Sequence, residues 1–110
     1  MAITGGSLAD GQLPNTKTTL YTVPGSTIAH ITHVVLVNTS GGAITVNIYV
    51  KRSGSTSRRI IDKDKSIAAG ASYWVPISPS ALRLSAADVI EGDASSATSV
   101  DYVILGGQEA

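Results

Sequence analysis

Cysteine is absent from the 110 residues, so neither a disulfide framework nor a thiolate metal site is available to the chain. Phenylalanine is absent too, and tryptophan occurs once. The core must therefore be filled by Val, Ile, Leu and Ala, helped by Tyr21, Tyr49, Tyr73, Tyr102 and Trp74. β-Branched side chains suit a pleated, half-buried surface, so a thin aliphatic sandwich is expected rather than a helical bundle. Charge of either sign is not in excess: eight basic residues balance eight acidic ones. The overall balance thus points to no nucleic acid, no anionic membrane and no acidic substrate. No apolar stretch approaches the roughly 20 residues of a membrane-spanning helix. The opening MAITGGSLADGQLPN lacks the basic start and the apolar run of about 7–15 residues that mark a signal peptide. A chain that stays in the cytoplasm where it is made is the expectation.

What is present is alternation. In Ile44 to Lys51, Ile44, Val46, Ile48 and Val50 take one side while Thr45, Asn47, Tyr49 and Lys51 take the other. Side chains in a strand alternate faces, so this run reads as a strand with one face in a core. Before it, Thr27 to Asn38 forms the longest strand, and Thr39-Ser40-Gly41-Gly42 supplies turn residues that fit a tight hairpin between the two. Val34-Val35-Leu36-Val37 is apolar on both faces, which predicts cover on both sides. The second cover is expected from an N-terminal arm or another copy, with Val35 and Val37 as the contact. The alternation slips by one at Thr32-His33, the mark of a β-bulge.

Further strands are expected at Thr19–Val23, Arg58–Asp62, Ser72–Ile77, Leu82–Leu84, Val89–Ile90 and Ser99–Leu105. Pro76 and Pro79 mark the end or edge of one of them, and the segment from Pro79 to Asp88 is also compatible with a single helical turn. About seven to eight short strands with regular turn signals indicate an all-β fold, an antiparallel β-sandwich of jelly-roll type. Residues 1–17 are Gly-, Ser- and Asn-rich without a period. They read as an extended N-terminal arm in front of a single sandwich domain at 18–110, with Ile3, Leu8 and Leu13 as apolar anchors on a neighbouring subunit.

Catalytic and metal-binding patterns are scarce. His30 and His33 are spaced H-x-x-H, but on a strand that spacing puts the rings on opposite faces unless the bulge turns one. Asp62-Lys63-Asp64 begins like a calcium loop without its sixth-position glycine or closing glutamate. Asn38-Thr39-Ser40 matches a glycosylation acceptor only formally. No serine sits in a nucleophile elbow, and no phosphate loop enters a helix. The chain is read as no enzyme, with no cofactor and no metal. A carbohydrate-binding role would use Trp74 and Tyr73 as a stacking platform, although a buried Trp is the simpler expectation.

One charge pattern stands out. Lys51, Arg52, Arg58, Arg59, Lys63 and Lys65 lie within fifteen positions, whereas from Ser85 onward there are five acids and no base. A basic loop tip, with Lys51, Arg52, Arg58 and Arg59 as contacts, would meet an acidic surface on a like subunit or scaffold. Aromatic residues are not interleaved with these bases as single-strand stacking would need.

The runs GQLP at 11–14, TLYTVP at 19–24, VLVNTS at 35–40, SIAAGASY at 66–73 and VDYVIL at 100–105 resemble small virion proteins of tailed bacteriophages. The resemblance covers most of the chain from Gly11 to Leu105, with VPGS standing where that pattern has VPAG. It implies β-sandwich domains that serve as capsid decoration or cement proteins, or as fibre, collar and baseplate parts, usually as homotrimers. Its implied partners are further copies, the major capsid protein and other virion proteins, and its implied location is the virion, assembled in the host cytoplasm. A chain with its own start and no long shaft favours the head ornament. No catalytic residue carries over.

Overall fold

The computed structural model describes residues 3–77 and 82–109, with side chains from residue 6 onward. Ten strands are formed: β1 (Ile3–Gln12), β2 (Thr18–Thr22), β3 (Ile28–Asn38), β4 (Ile44–Lys51), β5 (Arg58–Arg59), β6 (Lys65–Ile67), β7 (Ser72–Trp74), β8 (Leu82–Leu84), β9 (Val89–Ala94) and β10 (Val100–Glu109). One sheet has the order β1-β10-β3-β7, with β8 also on β3; the other has β2-β9-β4-β5, with β6 also on β4. All pairings are antiparallel. Counting β5 with β6 and β7 with β8 as two interrupted strands leaves eight positions in two four-stranded layers. That order is the jelly roll, in which successive strands mostly change layer and the first and third strands flank the last.

The core lies between the layers. Leu13, Ala29, Val34, Leu36, Val46, Ile48, Leu84, Ile90, Val100 and Ile104 are fully buried there. Each such Leu or Ile contributes about 1.5–3 kcal/mol relative to exposure. Gly92 makes room in this core for the side chains of its neighbouring strands and of Leu13. A Cβ at that position would stand 2.8 Å from Leu20, 3.0 Å from Ile48 and 3.1 Å from Leu13.

Three expectations need correction. The first concerns the hairpin, since β3 and β4 lie in different sheets and residues 39–43 form an arch from one layer to the other. Asn38, fully buried, builds that arch: its Nδ2 donates to the Gly42 and Ile67 carbonyls, and its Oδ1 accepts from the Ser40 amide. Alternation reports which face of a strand is apolar, and an arch needs the same small polar residues as a tight turn.

The second concerns the arm. Residues 3–12 form β1, paired along β10 of the same chain from Ile3↔Glu109 to Gln12↔Asp101. Gly5 and Gly6 face Gly107 and Gly106, so this part is held by backbone hydrogen bonds and leaves no side-chain period to read. The third is the segment between Asp62 and Ser72, where no strand was expected and Lys65–Ile67 forms β6. The strand expected at Leu82–Leu84 is present as β8, in place of the alternative helical turn, and Pro79 lies outside the described residues.

The bulge is present where the alternation slips. Leu105 pairs with His33 and Gly106 with Ile31, leaving Thr32 as the extra residue. Both Thr32 and His33 consequently face outward, and Val34 returns to the core. The tight fit depends on Gly106, where an added Cβ would lie 2.1 Å from the His30 carbonyl oxygen.

Candidate functional site

The outer face of the β1-β10-β3-β7 sheet follows from the register. Cross-strand partners share a face, so one row reads Asp10, Val103, Val35, Trp74 and the next Gln12, Asp101, Val37, Ser72. A third row holds Ser7, Leu105 and His33, and a fourth Gly5, Gly107, His30 and Arg83. Val35, Val37, Val103 and Leu105 lie half-buried side by side on this face. At the edge of the stripe Trp74 is 56% exposed, the one large hydrophobic side chain so exposed among the described residues. The His33 ring stands edge-on to the indole at 5.3 Å and 88°, which holds the indole in place.

The rims of the stripe are polar. Asp10 is exposed on β1, and Asp101 accepts a hydrogen bond from Gln12 Nε2 at 3.1 Å. At the far end His30 Nε2 lies 2.5 Å from Glu109 Oε1, tying β3 to the end of β10. Thus the bulge does bring both histidines to one face, but each has its own neighbour. Among the described residues no group of three or more His, Cys, Asp or Glu could hold a metal ion.

The opposite outer face, on the β2-β9-β4-β5 sheet, is polar and closed. Asn47 is 6% exposed and sits at its centre. Its Nδ2 donates to Asp64 Oδ1 at 2.9 Å and Asp93 Oδ1 at 3.0 Å, while its Oδ1 accepts from Arg59 Nε and the Asp64 amide, both at 3.0 Å. Tyr49 donates to Asp93 Oδ2 at 3.0 Å and carries Lys17 and Arg59 against its ring, 5.2 and 5.1 Å from the centroid. Burial, helped by the bond to Asp93, pushes the Tyr49 phenol above its ordinary range. Ser57 donates to Glu91 Oε1.

Beside this network a cleft of about 200 Å³ is lined by Thr19, Lys51, Arg52, Ser53, Ala87 and Glu91, among others. Asp88, 4% exposed, closes one end by accepting from the Ser53 amide at 2.8 Å and the Ser85 amide at 2.9 Å, with Arg52 at 3.6 Å. Burial alone would raise the Asp88 pKa. The two amides and the guanidinium outweigh it and hold the carboxyl below its usual range.

The expected contact residues separate accordingly. Val35 and Val37 lie on the open apolar face; Leu13 is in the chain's own core, and Leu8 packs half-buried against that core rather than against a neighbour. Ile3 opens β1 opposite Glu109. Lys51, Arg52 and Arg58 are exposed at the basic loop, whereas Arg59 is spent on Asn47 and Tyr49. The charge separation along the sequence is largely folded away, because Asp88, Glu91 and Asp93 come to rest beside the bases. Trp74 is exposed where a buried position was expected, and Tyr73 pairs with Leu36 on the opposite face, so the two rings form no common platform. Trp74, Val103 and Leu105 share this face with Val35 and Val37, a grouping the sequence reading missed; its signal was the same alternation, readable only once β10 and β7 are known to flank β3.

No family model and no curated protein sequence matches the chain. Among solved structures, a chain of the T13 viral particle of infectious bursal disease virus is similar over 97% of this chain at 11% identity, with a TM-score of 0.50. The VP2 protein of the same virus in T=1 particles gives 13% identity over 97% and a TM-score of 0.49. A pentameric capsid protein from metagenomic phage sequences gives 19% identity over 94% and a TM-score of 0.38. The chain spans 30% of the length of each of the two infectious bursal disease virus chains. At this identity the likeness is one of fold: this chain is an all-β, two-layer antiparallel sandwich, similar in fold to part of the T13 particle chain.

Proposed function

We propose that this chain is a non-enzymatic structural protein of a virion, specifically a head decoration or cement protein of a tailed phage that docks through the outer face of its β1-β10-β3-β7 sheet. The observation that carries this reading is the uncovered stripe of Val35, Val37, Val103 and Leu105 ending at the exposed Trp74. Contiguous exposed apolar patches mark interaction sites, and interface hot spots are enriched in Trp. The reading also draws on the phage-like runs in the sequence and on the occurrence of the jelly roll in the viral particle that resembles it. Every buried polar side-chain atom among the described residues has a partner, so no unsatisfied buried group is poised for chemistry.

Electron microscopy of particles labelled with an antibody against this chain tests the proposal. Many evenly spaced labels on the head are expected. A few labels at the tail would favour a fibre, collar or baseplate part, and absence from virions would overturn the proposal.

A further inference from the structure

We infer that the occupant of the open face is a second copy of this chain, stacked face to face about a twofold axis that runs along the strands between β3 and β10. The inference deepens the docking face just proposed and rests on it.

Size is the first argument. Four strand positions about 4.8 Å apart and about ten residues long, at about 3.3 Å per residue, make a face on the order of 650 Å². Two such faces bury roughly 1,300 Å², within the about 1,200–2,000 Å² of standard stable interfaces. The apolar stripe alone is too narrow for that, so the rims must fit as well as the centre.

The rims decide the symmetry. A twofold axis across the strands would lay β1 of one copy on β1 of the other and β10 on β10, so that an axis through the Asp10 row or the Asp101 row sets that carboxylate against its own equivalent. An axis along the strands instead lays β10 on β3 and the β1 edge on the β7-β8 edge. Val103 then covers Val35 of the second copy, and Asp10 comes opposite the Trp74 edge, where the indole N–H can meet a carboxylate. In the fourth row, His30 of one copy lies over Gly107 of the other and Arg83 over Gly5, where no side chain competes for the space. Face-packed sheets cross at about −30°, so the correspondence is tightest at the axis, between Val35 and Val103.

A charge-pair rescue tests this arrangement. Native mass spectrometry is run on the wild type, on Val35→Glu, on Val103→Lys, and on an equal mixture of the two variants, each checked for folding by circular dichroism. The wild type is expected as a dimer. Each variant alone should lose at least ~30-fold in dimer affinity, as at an interface hot spot. The mixture should form a heterodimer, because the introduced carboxylate and ammonium face each other across the axis. A monomeric wild type, variants that still dimerise, or a mixture that forms no heterodimer would each overturn the twofold stack. A threefold ring falls in the last class. If the wild type is monomeric yet Trp74→Glu abolishes attachment to particles, the stack fails and the virion reading stands. A rescued dimer found on no particle fails the virion reading alone.

Discussion

The two outer faces of this sandwich were built by opposite rules. On the β2-β9-β4-β5 sheet, the chain's own segment 52–64 and Lys17 fold over the strands, and Asn47, Tyr49, Arg59, Asp64 and Asp93 satisfy one another. On the β1-β10-β3-β7 sheet, the central strands turn half-buried valines and leucine outward where a solvated sheet would offer polar residues. A sheet face that the chain finishes internally is there for stability. One that it leaves apolar is there for another molecule. Substitutions on the two faces should therefore separate folding from assembly.

The largest effect is expected at the hinge between inside and outside on β3. The bulge at Thr32 turns Val34 inward and Val35 outward, and Gly106 makes room for it. Gly106→Ala should cost about 3 kcal/mol or more by urea unfolding, because the new methyl meets backbone rather than a flexible side chain. A loss below about 1 kcal/mol would mean that the bulge relaxes freely.

On the closed face, Asn47→Ala should cost about 2–3 kcal/mol by the same measurement, since it leaves Asp64, Asp93 and Arg59 without their common partner. Dimerisation and particle binding should survive in the folded fraction. If assembly fails first, the closed face is not merely structural.

Asp88 sharpens the contrast through pH. Its folded-state pKa is depressed, so the stability it contributes is present above the unfolded carboxylate value, near pH 4, and is lost as pH falls through the lower folded value. Asp88→Asn should cost about 2 kcal/mol at pH 7, the order of a hydrogen bond to a charged group. It should also flatten the fall in thermal stability below about pH 4. An unchanged acid limb would show that other carboxylates govern it.

Smallest for folding is Trp74→Ala, which removes an exposed side chain and should move stability by no more than about 0.5 kcal/mol. Its effect belongs to assembly, where it should weaken self-association or particle binding. A large loss of folding stability would place the indole in the core and reverse the comparison.

Much of this was legible in the sequence, and the missing part has a common cause. The alternation from Ile44 to Val50, the buried Val34 and Leu36, and the bulge at Thr32-His33 were readable because period and its interruption are local. Neighbours are not local. Asn38 to Gly42 has the composition of a hairpin turn and serves as an arch. β1 was invisible because Gly5, Gly6 and Gly11 carry no pattern; its order comes from pairing with β10, from Ile3↔Glu109 to Gln12↔Asp101, far along the chain. The docking face needed both facts, since Val103 and Trp74 join Val35 only when β10 and β7 flank β3. The neighbours of the basic loop were hidden for the same reason, as Asp88 reaches Arg52 only in the folded sheet.

Trp74 is the sole tryptophan, so its fluorescence reports on the open face without labelling. Emission should be that of a water-exposed indole in dilute protein and shift to the blue as concentration rises, and it should be blue-shifted on assembled particles. An emission maximum that stays at the water-exposed position under all these conditions would mean that nothing covers the face, and would contradict the account.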